Sequence, residues 1–144
     1  MLKKIVGFDQ NRVLVSEPGS DSDQQIFEFL KKVWPGKITC VFSAKNGGTV
    51  GVRMPNYDLV LKIIKKFGKP VTGTSANVSG GKEHTKINEL IKEFKSFKIQ
   101  PDLILDAGDL PPSKPSTVLD CITWPPKILR EGAVSMAELE KILK

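Results

Sequence analysis

The stretch Pro70-Val71-Thr72-Gly73-Thr74-Ser75-Ala76-Asn77-Val78-Ser79-Gly80-Gly81 separates an apolar helical pattern from a lysine-rich one. A helix or strand interior is a poor home for this mixture. Glycine loses the most backbone entropy on ordering, and Ser, Thr and Asn compete for backbone hydrogen bonds. The segment predicts a loop that bends freely and turns N–H groups and hydroxyls outward. Such a loop suits an anion, as phosphate-cradling nests do. The plainer reading is a solvated connection between a strand and a helix.

Strands and helices alternate on both sides of this loop. Residues 12–16 read as a strand, ended by Glu17-Pro18-Gly19. Ser22 and Gln25 have capping-box spacing, and Ile26, Phe29, Leu30 and Val33 follow as a helical apolar stripe. Trp34-Pro35-Gly36 stops that helix, Trp34 being a packing residue. Residues 38–44 and 49–53 are strand-like, joined by Lys45-Asn46-Gly47-Gly48 with hairpin chemistry. Leu59, Val60, Ile63, Ile64 and Phe67 mark the apolar helix, with Gly68 positioned to close it.

Residues 70–74 read as a short strand entering the loop. Ile87, Leu90, Ile91 and Phe94 mark the next helix, and residues 103–105 a buried strand ending at Asp106. Two further strands are expected at 116–121 and 127–130. Ser135 with Glu138 caps a last helix, and Val134 with Leu139 has staple spacing. The pattern predicts one α/β domain over residues 1–144, a twisted mixed sheet flanked by helices.

The 144 residues are 40% hydrophobic and 26% charged, ordinary for a globular domain with one core. Lys and Arg number 22 against 16 Asp and Glu, a net charge of +6. That sign favours an anionic partner such as a nucleotide or RNA; the alternative is a merely solvated basic surface. No apolar run approaches the ~20 residues of a membrane span, and the first nine residues lack signal-peptide features. The expected location is cytoplasmic. Cys40 and Cys121 read as small core residues in a reducing compartment. One histidine, His84, stands in a lysine-flanked loop where it is expected at the surface. No His/Cys/carboxylate cluster suggests a protein-held transition metal.

Five segments line up: Trp34-Pro35-Gly36-Lys37-Ile38-Thr39, Val50-Gly51-Val52-Arg53-Met54-Pro55, Thr74-Ser75-Ala76-Asn77-Val78-Ser79-Gly80, Ser116-Thr117-Val118 and Ile128-Leu129-Arg130-Glu131-Gly132. In this order the chain resembles the YrdC family over about residues 26–143. The family makes threonylcarbamoyl-AMP for threonylcarbamoyladenosine in tRNA. The resemblance implies a nucleotidyltransferase using L-threonine, bicarbonate and ATP, with Mg²⁺ carried on the ATP phosphates. Such a reaction needs positioning and positive charge more than a protein nucleophile.

By the same resemblance, Thr49, Ser75, Asn77 and Arg130 lie on the nucleotide side. Arg53, Gly73 and Ser116 lie on the threonine side, Arg53 gripping the carboxylate. These positions fall at ends of predicted strands, where open α/β sheets place ligands. Taken without the family, Arg53 and Arg130 read as surface residues, Ser116 as a loop cap and Asn77 as a turn former.

The sequence departs from the family in two places. The family's Thr-x-Tyr-Gly-Leu strand and Lys-x-Arg motif have no counterpart, so the chain looks N-terminally shortened. Where the family has a Pro-Ser-Pro-Thr-like run, this chain has Lys82-Glu83-His84-Thr85, with Glu83 at the serine's place. A carboxylate there is unfavourable near phosphate unless it holds a metal or turns away. The readings are an enzyme completed by a separate N-terminal segment or second subunit, a catalytically degenerate module binding nucleotide or RNA such as tRNA, or a sequence that starts too late.

Overall fold

A computed structural model describes residues 5–9, 12–15, 21–44, 47–98 and 100–143, the first two runs by their backbone. Two compact units form, Met1–Val71 with Lys114–Lys144, and Thr72–Ser113.

In the first unit, β1 (Ile5–Asp9) and β2 (Arg12–Val15) pair antiparallel, Asp9 opposite Arg12. Helix α1 (Asp21–Val33) follows, then β3 (Ile38–Ser43), β4 (Thr49–Val52) and helix α2 (Asp58–Phe67). After the second unit come β5 (Thr117–Asp120), β6 (Lys127–Arg130) and helix α4 (Met136–Leu143), numbered after α3 (Ile87–Lys95) of the second unit. The main sheet has the order β4-β3-β5-β6. β3 and β5 run parallel, and the two outer strands run antiparallel to them. This is the expected mixed α/β sheet.

Side chains alternate across a strand, and burial follows. Ile38, Cys40 and Phe42 of β3 and Thr117 and Leu119 of β5 are buried. The stripe Ile26, Phe29, Leu30 and Val33 of α1 packs with them, as does Leu139 of α4. Burying each large apolar side chain contributes about 1.5–3 kcal/mol. Phe29 meets Trp124 edge to face at 6.0 Å between ring centroids. Trp34 is buried and its Nε1 donates to the Ile38 carbonyl at 2.8 Å. Cys40 and Cys121 are free, fully buried thiols. A hydrogen bond to Cys121, then burial, push the Cys40 thiol far above its ordinary range. A thiol held neutral this way packs as a small hydrophobe.

Local signals act as the sequence suggests at two helix ends. Gly68 takes φ 73° and donates its N–H to the Ile64 carbonyl. Ser135 and Glu138 form a reciprocal cap: the Ser135 N–H and hydroxyl donate to the Glu138 carboxylate at 2.8 and 2.6 Å. Those bonds hold the Glu138 carboxyl below its usual range. Helix α1 begins at Asp21, so Ser22 falls in its first turn. Residues 16–20 and the pair Lys45-Asn46 lie outside the described residues.

Two expected strands are absent. Residues 70–74 and 103–105 carry no ladder, and Leu103 is 74% exposed. Strand propensity is realised only against a partner. Pro70 lacks a donor, and Asp106 beyond the second segment folds back to accept the Gly108 N–H at 2.7 Å. The apolar face of α2 also stays open: Leu59, Ile63 and Phe67 are exposed and none of its residues is buried.

Candidate functional site

The sheet face opposite the core mixes polar residues with two valines. Register decides which side chains share it. Val41 pairs with Gly51 and Ser43 with Thr49, while Val118 pairs with Arg130. Thr39, Val41 and Ser43 therefore share a face with Thr49, Gly51 and, by continued alternation, Arg53. Ser116, Val118 and Arg130 join them across β5 and β6. Thr49, Arg53, Ser116 and Arg130 thus come to one face.

They are not all at one place on it. Arg53, Ser116 and Arg130 gather where β3 and β5 begin. Thr49 stands four residues back along β4, about 13 Å away at the usual strand rise. The cluster therefore lies at the N-terminal ends of the parallel pair. The residues stand at strand ends as expected, but at the opposite edge from the one open α/β sheets commonly use. The reason is strand direction: β4 and β6 run against β3 and β5, so their C-terminal residues, Arg53 and Arg130, meet the start of the parallel strands.

Ser116 is held from two sides. Its hydroxyl lies 2.8 Å from the Thr39 hydroxyl, and its carbonyl accepts an N–H from Arg130 at 2.8 Å. Arg130 is exposed and commits one of its five N–H donors there. Beneath, the fully buried Thr117 hydroxyl donates to the Val134 carbonyl at 2.6 Å and accepts the Gly132 and Val134 N–H groups at 3.0 Å each. This ties the turn after Arg130 to the start of β5. A Cβ on Gly132 would stand 2.3 Å from the Pro115 carbonyl oxygen, so only glycine closes that turn. Gly51 similarly lets β4 pass beside Thr39, whose methyl lies 3.3 Å from the missing Cβ. Lys37, exposed beside this end, adds to the positive charge of Arg53 and Arg130.

The second unit, Thr72–Ser113, holds Gly73, Ser75 and Asn77. Gly73 and Ser75 are exposed, and Gly73 has open space where a Cβ would be. Asn77 is half-buried and turns its amide inward, donating to the Val78 carbonyl at 3.0 Å and the Gly81 carbonyl at 2.8 Å. The plain reading of Asn77 as a turn former thus describes its nitrogen. Gly80 supplies the positive φ, 79°, that the turn requires. Glu83 is exposed. His84, expected at the surface, has a side chain only 15% exposed and sits between Glu93 at 3.1 Å and Glu89 at 3.5 Å. Two helical carboxylates four residues apart make a slot that an imidazole fills.

Sequence reading missed Thr39, Thr117 and Glu93. Thr117 had a signal: a polar residue at an inward position of a strand needs buried partners. Among the described residues no group of three His, Cys, Asp or Glu is arranged to hold a metal ion, and no helix is long and apolar enough to cross a membrane.

Residues 8–132 match the Sua5/YciO/YrdC family, described as telomere recombination. The chain belongs to that family. The threonylcarbamoyl-AMP synthase of Pyrococcus abyssi is 33% identical, the match covering 96% of this chain and 42% of that protein. The Bacillus subtilis synthase is 30% identical over 79% of this chain and 35% of its own. Pyrococcus abyssi Sua5, solved in complex with L-threonine, superposes with a TM-score of 0.69 at 30% identity, over 83% of this chain and 37% of that one. E. coli YciO gives 0.63 at 25% identity, over 78% and 58%. This Sua5/YciO/YrdC chain spans less than half the length of the two synthases.

Proposed function

We propose that the chain acts in threonylcarbamoyl-AMP synthesis for tRNA threonylcarbamoyladenosine. L-threonine and bicarbonate condense to a carbamate with loss of water. A carbamate oxygen then attacks the α-phosphorus of Mg²⁺-bound ATP, the bond to the β-phosphate oxygen breaks, and pyrophosphate leaves. Arg53 takes the threonine carboxylate as a bidentate partner, with the Ser116 hydroxyl and Gly73 backbone beside the amino acid. Arg130, Thr49, Ser75 and Asn77 serve the nucleotide. No protein nucleophile is needed, because the chemistry rests on positioning and charge.

The observation that carries this reading is the Arg53–Ser116–Arg130 end of the sheet, in a chain similar to a Sua5 solved with L-threonine. Its test is pyrophosphate release that requires both threonine and bicarbonate. Little turnover is expected from the chain alone, with activity restored when a segment carrying the Thr-x-Tyr-Gly and Lys-x-Arg elements is added. Release that ignores threonine or bicarbonate contradicts the reading.

One observation favours a second reading, a catalytically degenerate module that binds nucleotide or tRNA. The arginines of the chain are Arg12, Arg53 and Arg130, and no Lys-x-Arg triplet occurs in it. Missing cations at a phosphoryl-transfer site cost about 10²–10³ in rate each. Under this reading ATP or tRNA binds, the tRNA affinity falls steeply with salt, and no added segment restores turnover.

A further inference from the structure

We propose that Glu93 and His84 are positioning residues for the 75–81 loop, a carboxylate–imidazole latch that fixes its ligand-facing backbone. Glu93 stands near the end of α3 with its side chain 21% exposed. Its Oε2 accepts the Val78 N–H at 3.4 Å and meets His84 Nε2 at 3.1 Å. Its Oε1 lies 3.0 Å from where a Gly81 Cβ would stand. One carboxylate therefore bonds the Val78 end of the Val78–Gly81 turn and occupies the space a side chain at Gly81 would need, while the Gly81 N–H closes the turn on the Val78 carbonyl at 2.8 Å. Asn77 ties the same two residues from the other side.

A carboxylate this close to a phosphate-binding loop repels the ligand unless a donor or cation offsets it. His84 is that group. With Nε2 carrying the proton it donates to Glu93, and its Nδ1 faces Glu89 at 3.5 Å. The other charges nearby are Lys92 on α3 and Lys82, Glu83 and Lys86 on the preceding segment; Lys86 reaches Glu89 at 3.9 Å. His84 is thus the group that meets both carboxylates, and it arises in the Lys82-Glu83-His84-Thr85 run where the sequence departs from the YrdC pattern.

The link to nucleotide rests on the proposed function; the latch itself does not. The experiment follows the full chain labelled with ¹⁵N, reading amide exchange at Val78 and Gly81 and, by calorimetry, affinity for ATP. Glu93→Gln and His84→Ala are expected to speed Val78 exchange about tenfold, as loss of a charge-assisted bond does, and to weaken ATP severalfold with an unchanged melting curve. His84→Gln, which keeps an N–H donor, is expected to recover most of both losses. Unchanged Val78 exchange in Glu93→Gln overturns the latch whatever ATP does. Faster exchange with full ATP affinity overturns its positioning role. If the wild-type chain binds no ATP, the nucleotide reading and the positioning role fail together, and Val78 exchange alone decides whether the latch exists.

Discussion

The two units hold their candidate site residues by different physics. At the start of β3 and β5, Ser116 and Arg130 rest on a buried base: Thr117 is fully enclosed and gathers the turn after Arg130, and Leu119 and Phe42 fill the core below. In Thr72–Ser113 the bounds of the loop are set by polar contacts from Asn77, Glu93 and His84, and α3 has no buried residue. Close packing resists small displacements, because moving one side chain costs contacts with many. A set of part-buried hydrogen bonds yields more readily, since each contributes only about 0.5–1.5 kcal/mol net. The comparison teaches that residues set on a packed base and residues held by local polar contacts coexist in one chain, and that substitutions should separate the two.

The largest effect should come from the core beneath the first region. Leu119→Ala is expected to cost about 3–5 kcal/mol through lost burial and a residual cavity, measured by urea denaturation. Gly132→Ala should follow at about 2–3 kcal/mol, because its Cβ meets backbone oxygen on both Pro115 and Ser116. A Gly132→Ala protein of unchanged stability would break the claim that this turn is packed shut.

Asn77→Ala probes the second region. It should leave the global melting temperature within about 1 °C, because its two bonds are local, yet speed proteolysis between residues 72 and 82. A large global loss would mean the units do not differ as described. Ser135→Ala removes one exposed helix cap and should lower the melting temperature by about 3 °C at pH 7, well below the effect of the core substitutions. The Glu138 carboxyl is held below its usual range in the fold, so this stabilisation is present above the ordinary carboxylate range and is lost as pH falls through the lowered value. The gap between wild type and Ser135→Ala should therefore close in acid.

The sequence made most of the first region legible, because its rules are local. Period-2 burial gave β3 and β5, the Ile26–Val33 stripe gave α1, and Gly68 and the Ser135–Glu138 pair marked helix ends. Residues 70–74 and 103–105 were misread because apolar runs say nothing about whether a ladder partner exists. That Thr49, Arg53, Ser116 and Arg130 share a face depends on register, which only pairing determines. His84 was misplaced for a related reason. Its burial is due to Glu89 and Glu93, carboxylates that read as solvent-facing until α3 is set beside the loop.

The measurement that bears most directly on the account is an L-threonine titration of the folded chain, followed by calorimetry with and without Arg53→Ala and Arg130→Ala. The account predicts measurable threonine binding in wild type. It predicts a loss of tenfold or more in Arg53→Ala, from removal of a charge-assisted carboxylate partner, and a smaller loss in Arg130→Ala. Threonine affinity that survives Arg53→Ala intact, or falls further with Arg130→Ala, would contradict the assignment of the amino acid to this end of the sheet.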